Sequence, residues 1–254
     1  IQSGDFIAIT RFDGLDQIIE YGAGSHAGHS TMALWVDDEL YVVESQAAWY
    51  WPRKGLQINP YKQWVQWAHD ADFQVTHLPL TKEAAAKFDA KAAYEWFKTV
   101  EGMPYGFHNF LFGWIDTPDH SFPPVMSPEL LAAALAMYER KNPEATWKIF
   151  NAPMMMRLGL NDRNYSIPEI SRIAAERNLT MPDLYSIVEQ EGWWYPDGYA
   201  WVCSAFVARM WMAGGLWDGY TINPPEFTPR DIYELAFLDP NPTVPADCKA
   251  LDPE

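Results

Sequence analysis

The stretch HSTMALWVDDELYVVESQ, residues 29 to 46, constrains the fold more than any other part of the chain. Two runs rich in β-branched and aromatic residues flank the polar turn DDE, a pattern that predicts an antiparallel β-hairpin. The alternation puts His29, Thr31, Ala33 and Trp35 on one face of the first strand and Ser30, Met32 and Leu34 on the other. Pairing about the turn brings opposite one another residues whose numbers sum to about 75 or 76, so Glu44 falls near Thr31 or Met32, within a few residues of His29. An imidazole and a carboxylate at one end of a hairpin suit a base and the group that orients it. Two satisfied polar groups at a sheet edge would give the same pattern.

Around this hairpin the chain reads as α+β. GDFIAITRF at 4 to 12 predicts a strand, GLDQIIEYG at 14 to 22 a short helix stopped by glycine, and DFQVTHLPL at 72 to 80 a further strand. TKEAAAKFDAKAAYEWFKTV, capped by Thr81, predicts one helix to residue 100. Residues 110 to 195 differ in kind, with helical patterns in SPELLAAALAMYERKN, SIPEISRIAAERN and TMPDLYSIVEQEG, each opened by Ser or Thr with Pro close behind. They are expected to form a helical insertion within one domain spanning 1 to 254. A helix from Cys203, closed by Gly214 and Gly215, and a last helix in FTPRDIYELAF complete the pattern.

The net charge of −16, with 18 Lys and Arg against 34 Asp and Glu, argues against a nucleic-acid surface, which needs clustered cations. The longest apolar windows, such as LLAAALAMY, are too short to cross a bilayer, so no integral membrane span is expected. A start at Ile1 rather than Met, with sequons at Asn164 and Asn178, leads to the expectation of a secreted or lumenal protein. Two cysteines make no disulfide framework for a chain of 254 residues. Cys248 lies in the Pro-rich tail, where a bond to Cys203 would be a tether.

Cys203 therefore has three readings: core filler, half of that tether, or a nucleophile. The third follows from its place. Turn formers in WWYPDGY precede it and a helical pattern follows, so the sulfur sits in a first helical turn, where unpaired N–H groups and the helix dipole favour a thiolate. The same N–H groups could receive an oxyanion during acyl transfer. His69, Asp70, Asp72 and His77 match no compact metal-ligand spacing, and Asp116, Asp119 and His120 read as a loop. The aromatic runs AAWYWPRKG, YKQWVQWAHD and GWWYPDGYAW are core residues or the wall of an apolar cleft.

GDFIAI, then GSHAGHSTMALWVDDELYVVES, GMPYGF at 102 to 107, VCSAFV and TPRDI together resemble the circularly permuted branch of the NlpC-type papain-like cysteine hydrolases, the YiiX/YaeF-like group. Order carries the resemblance, since here histidine comes first and cysteine late. It covers roughly 1 to 110 and 196 to 235; the helical middle has no counterpart. The resemblance implies an antiparallel sheet packed on the cysteine helix, with Cys203 as nucleophile, His29 as base and Glu44 orienting it. SHAGHS offers His26 as well; the spacing to Glu44 selects His29. It further implies a hydrolase that cleaves an amide bond in peptides or peptidoglycan fragments through a thioester, with no metal or organic cofactor required. Related permuted folds move lipid acyl chains, so a lipid acyltransferase or phospholipase is the first alternative. A secreted binding or structural protein that has lost catalysis is the second.

Overall fold

The computed structural model describes residues 1–47, 52–106, 127–185, 187, 190, 193, 201–220 and 224–241. Strands β1 (Phe6–Thr10), β2 (His29–Val36), β3 (Glu39–Gln46), β4 (Gly55–Pro60) and β5 (Gln74–Leu78) form one antiparallel sheet in the order β4-β3-β2-β1-β5. The hairpin turns at Asp37 and Asp38, both with positive φ (46° and 63°), as the tightest two-residue hairpin turn requires. Its register sets Thr31 opposite Glu44. The predicted pairing is borne out.

Both faces of the central strands β1, β2 and β3 are covered, which explains why they are apolar on both sides, whereas β5 at the edge is largely exposed. On one face Phe6, Ala8, Met32, Leu34, Val43 and Leu56 pack against the cysteine helix (Cys203–Ala213) and helix α4 (Ala90–Val100). On the other, Ile7, Ile9, Ala33 and Val42 pack against Trp64 and Ala68 of helix α2 (Tyr61–Asp70). Trp211, fully buried in the cysteine helix, ties it to the chain's start by donating to the Gly4 carbonyl at 2.9 Å.

The single helix expected over 81 to 100 is two. Thr81 caps α3 (Lys82–Lys87), the chain turns extended at Phe88, and Asp89 caps α4 by accepting from Ala92 N at 2.9 Å. The break lets the Phe88 ring lie on Gly214, where a Cβ would come within 2.1 Å of it. Between 127 and 185 the helices Pro128–Glu139, Pro143–Thr146, Ala152–Leu158, Ile167–Glu176 and Met181–Tyr185 gather around their own core of Phe150, Met154, Ile167, Ile170 and Leu184. The helical run from Pro143 to Leu158 goes beyond the sequence expectation. A π turn at Trp147–Asn151 joins its two parts just before Pro153, whose missing N–H an unbroken α-helix would not tolerate. FTPRDIYELAF gives only the turn Pro229–Ile232. Residues 107–126, WYPDGY at 194–199 and Cys248 lie outside the described residues. Among the described residues no helix is long and apolar enough to cross a membrane.

Asp5 anchors the far end of the sheet. Its carboxylate accepts from His77 Nε2 and Gln2 N, both at 2.8 Å, and from Leu80 N at 2.9 Å. Burial pushes this carboxyl up, but the bond from His77 and the two backbone N–H groups outweigh it, so Asp5 ionises below its ordinary value. A depressed carboxylate contributes stability that is present above the unfolded-state value and lost as pH falls through the folded one. Asp5→Asn is therefore expected to cost about 1–3 kcal/mol at neutral pH, and melting curves of the two proteins should converge on acidification below about pH 4. A gap that stays constant with pH would contradict this role.

Candidate active site

His29 is the first residue of β2 and Glu44 the sixth of β3, and both side chains lie on the α2 face of the sheet. Register alone puts them side by side. His29 Nε2 lies 3.0 Å from Glu44 Oε2, with both residues 1% exposed. The buried carboxylate is fully satisfied. Its Oε2 also accepts from Gln46 Nε2 at 2.8 Å, and Oε1 accepts from Asn59 Nδ2 at 3.3 Å and Trp64 Nε1 at 3.2 Å. Four donors fill its acceptor capacity as an anion. A carboxylate accepts only, so Nε2 carries the imidazole hydrogen and Nδ1 is the ring nitrogen left for another partner.

Cys203 is brought beside this ring. The β2–β3 ladder ends at Thr31↔Glu44, whereas β3 runs on beside β4 through Ser45↔Leu56 and Gln46↔Gly55. In the resulting gap Ser45 Oγ donates to the Trp201 carbonyl at 2.6 Å, while Trp201 also bridges Tyr105. Val202 is extended, and the cysteine helix begins at the next residue. Cys203 carries a free thiol, 3% exposed. Tyr105 Oη lies 4.0 Å from its sulfur, and the His29 ring, the Ser30 backbone N–H and Arg11 are near enough to act on its charge. Val202 provides no side-chain cap, so no side chain at that position occupies the first-turn N–H groups beside the sulfur.

The electrostatics follow from these contacts. Burial pushes the thiol up, yet the charge and hydrogen bond of His29, the Ser30 N–H and the charge of Arg11 together hold it below its ordinary value. Burial and Arg11 push His29 down, but the thiolate and the bond to Glu44 hold it above its ordinary value. Tyr105 is held well above the phenol range by burial and by the neighbouring sulfur charge, so it remains a donor. The shifts of Cys203 and His29 run in the directions that favour transfer of the thiol proton to the imidazole, with the Glu44 carboxylate behind the ring.

His29 and Glu44 thus meet directly, and Cys203 lies near enough to His29 for each to act on the other's charge. The other candidates do not join them. His26 is exposed, His69 is exposed beside Asp70, and His77 serves Asp5. Among the described residues no three His, Cys, Asp or Glu side chains are grouped to hold a metal ion. Trp201 and Trp64 are buried; Trp201 meets Trp96 edge-on at 5.6 Å, and Trp64 serves Glu44. Sequence reasoning assigned no role to Tyr105, although it sits in GMPYGF, nor to Asn59 and Gln46. The signal for Asn59 was the polar alternation Gln57, Asn59 in a strand that borders Glu44.

No family model matches the chain, and no curated protein matches it. Among solved structures, the crystal structure of the metalloprotein yiiX from Escherichia coli O157:H7 is similar at 20% identity, with a TM-score of 0.32, over 42% of this chain and 54% of that one. The match thus spans about half the length of that protein.

Proposed function

We propose that this chain is a cysteine hydrolase of circularly permuted papain-like fold that cleaves an amide bond through a thioester. One observation carries the proposal: Cys203 opens its helix beside the His29 ring, close enough for each to act on the other's ionisation, and that ring's Nε2 meets Glu44 at 3.0 Å. The thiolate attacks the carbonyl carbon, forming a C–S bond as the carbonyl oxygen takes up charge. That oxyanion is received by first-turn N–H groups of the cysteine helix and by the Tyr105 hydroxyl. Imidazolium at His29 gives its proton to the departing amine as the C–N bond breaks, leaving a thioester. Water, losing a proton to His29, then attacks the thioester; the acid departs and the thiolate is restored. Glu44 holds the tautomer and steadies the imidazolium throughout. The free thiol of Cys203 also favours a hydrolase over a protein in which that sulfur tethers the tail. Exposed asparagines at both sequons, Asn164 and Asn178, fit a secretory route.

The test is rapid acid quenching and intact-mass analysis after mixing with a short peptide amide, a peptidoglycan stem peptide or phospholipid micelles. The expected result is an acyl adduct on Cys203 from one of the peptide substrates, absent in Cys203→Ala and strongly reduced in His29→Ala. An adduct from phospholipid alone would move the substrate to lipid acyl groups. No adduct from any of the three would count against the hydrolase.

A further inference from the structure

We infer that Arg11 and Gln46 are positioning residues for the Cys203–His29–Glu44 site, an inference that rests on the function proposed above. Arg11 follows β1 and is 3% exposed. Its guanidinium clasps Asp16, itself 0% exposed in helix α1 (Leu15–Ala23), through Nε–Oδ2 at 2.9 Å and Nη2–Oδ1 at 2.8 Å. From that fixed fork, Nη1 donates to Gln46 Oε1 at 3.2 Å, and Gln46 Nε2 donates to Glu44 Oε2 at 2.8 Å.

The chemistry of these groups gives the chain a direction. Arginine has no acceptor and carboxylate no donor, so the amide between them has one favourable orientation. With Arg11 present, Gln46 turns its oxygen to the guanidinium and its NH2 to Glu44. Without it, the Gln46 oxygen loses its partner, and the NH2 bond to Glu44 Oε2, the oxygen His29 itself uses, is no longer braced. Arg11 also places a buried positive charge near both the sulfur and the ring. The charged and titratable groups around Cys203 are thus His29 from β2, Glu44 from β3, Arg11 with Asp16 behind it, and Tyr105.

Arg11→Met alone strands the buried Asp16 and threatens folding. The test therefore uses Gln46→Met, and separately Arg11→Met combined with Asp16→Leu, which removes both charges together. In a Cys248→Ser background, the rate of Cys203 alkylation by iodoacetamide is followed against pH, with melting temperature measured in parallel. Both variants should move the Cys203 inflection upward and slow alkylation at about pH 6 roughly tenfold, the size of one hydrogen bond to a charged group. Restoring an amide with Gln46→Asn should recover less than the wild-type rate because its reach is shorter. Loss of melting temperature with an unmoved inflection would overturn the inference, leaving a structural role alone. A wild-type Cys203 that titrates as an ordinary thiol would sink the hydrolase proposal and this inference with it.

Discussion

Glu44→Gln is expected to lower the rate of Cys203 acylation by about 10–10²-fold, while the protein stays folded, because a neutral amide cannot support an imidazolium as a carboxylate does. The geometry explains why so small a change matters. Four donors converge on the two oxygens of Glu44, and an NH2 group on either side must face two of them. The bonds to Oε1 are the longer pair, at 3.3 and 3.2 Å, so the amide nitrogen will turn toward Asn59 and Trp64. His29 then keeps an acceptor but loses its negative charge. The stranded donors cost about 1–3 kcal/mol of stability, a loss readable by thermal melting and separable from the rate effect. Single-turnover acylation is the measurement. A rate within a few-fold of wild type would mean that Glu44 only fills the interior.

The second large effect is steric. Gly28→Ala is expected to cost about 3–5 kcal/mol and to suppress the reactivity of Cys203, although residue 28 touches neither sulfur nor ring in the proposed chemistry. A Cβ at Gly28 would lie 2.4 Å from both Cβ and Cγ of Asp16 and 2.6 Å from its Cα, distances no side-chain rotation relieves. Either α1 withdraws, pulling Asp16 from the buried Arg11, or β2 shifts at its first residue, which is His29. Both responses damage the same network. A fall in melting temperature on the order of 10 °C should accompany the loss of alkylation. An alanine variant with wild-type melting and reactivity would show that α1 and the start of β2 are not locked together.

The hairpin and the cysteine helix were legible because each is written locally, in a period of two around a polar turn and in an apolar run stopped by paired glycines. Register then carried His29 to Glu44 without knowledge of anything else. What surrounds Glu44 was not legible. Asn59 comes from β4, whose GLQINP is short and bracketed by Gly and Pro, and Trp64 from a helix whose sequence YKQWVQWAHD reads mainly as aromatic. Arg11, Asp16 and Gln46 meet only because β1, α1 and β3 pack together, and no local spacing encodes that meeting. The break between α3 and α4 was signalled by Asp89, a good cap, but was hidden by the strong helix formers on either side.

The most direct test of the central claim is the pH dependence of Cys203 alkylation in a Cys248→Ser protein, set beside the same protein carrying His29→Ala. In the proposed mechanism the thiolate–imidazolium pair forms as pH rises through the lowered value of Cys203 and is lost as it rises through the raised value of His29, where the ring gives up its proton. The account predicts an inflection well below that of a free thiol in the first protein. In the second it predicts a shift upward and a rate at about pH 6 lower by tenfold or more. Superimposable profiles with an ordinary thiol inflection would contradict it.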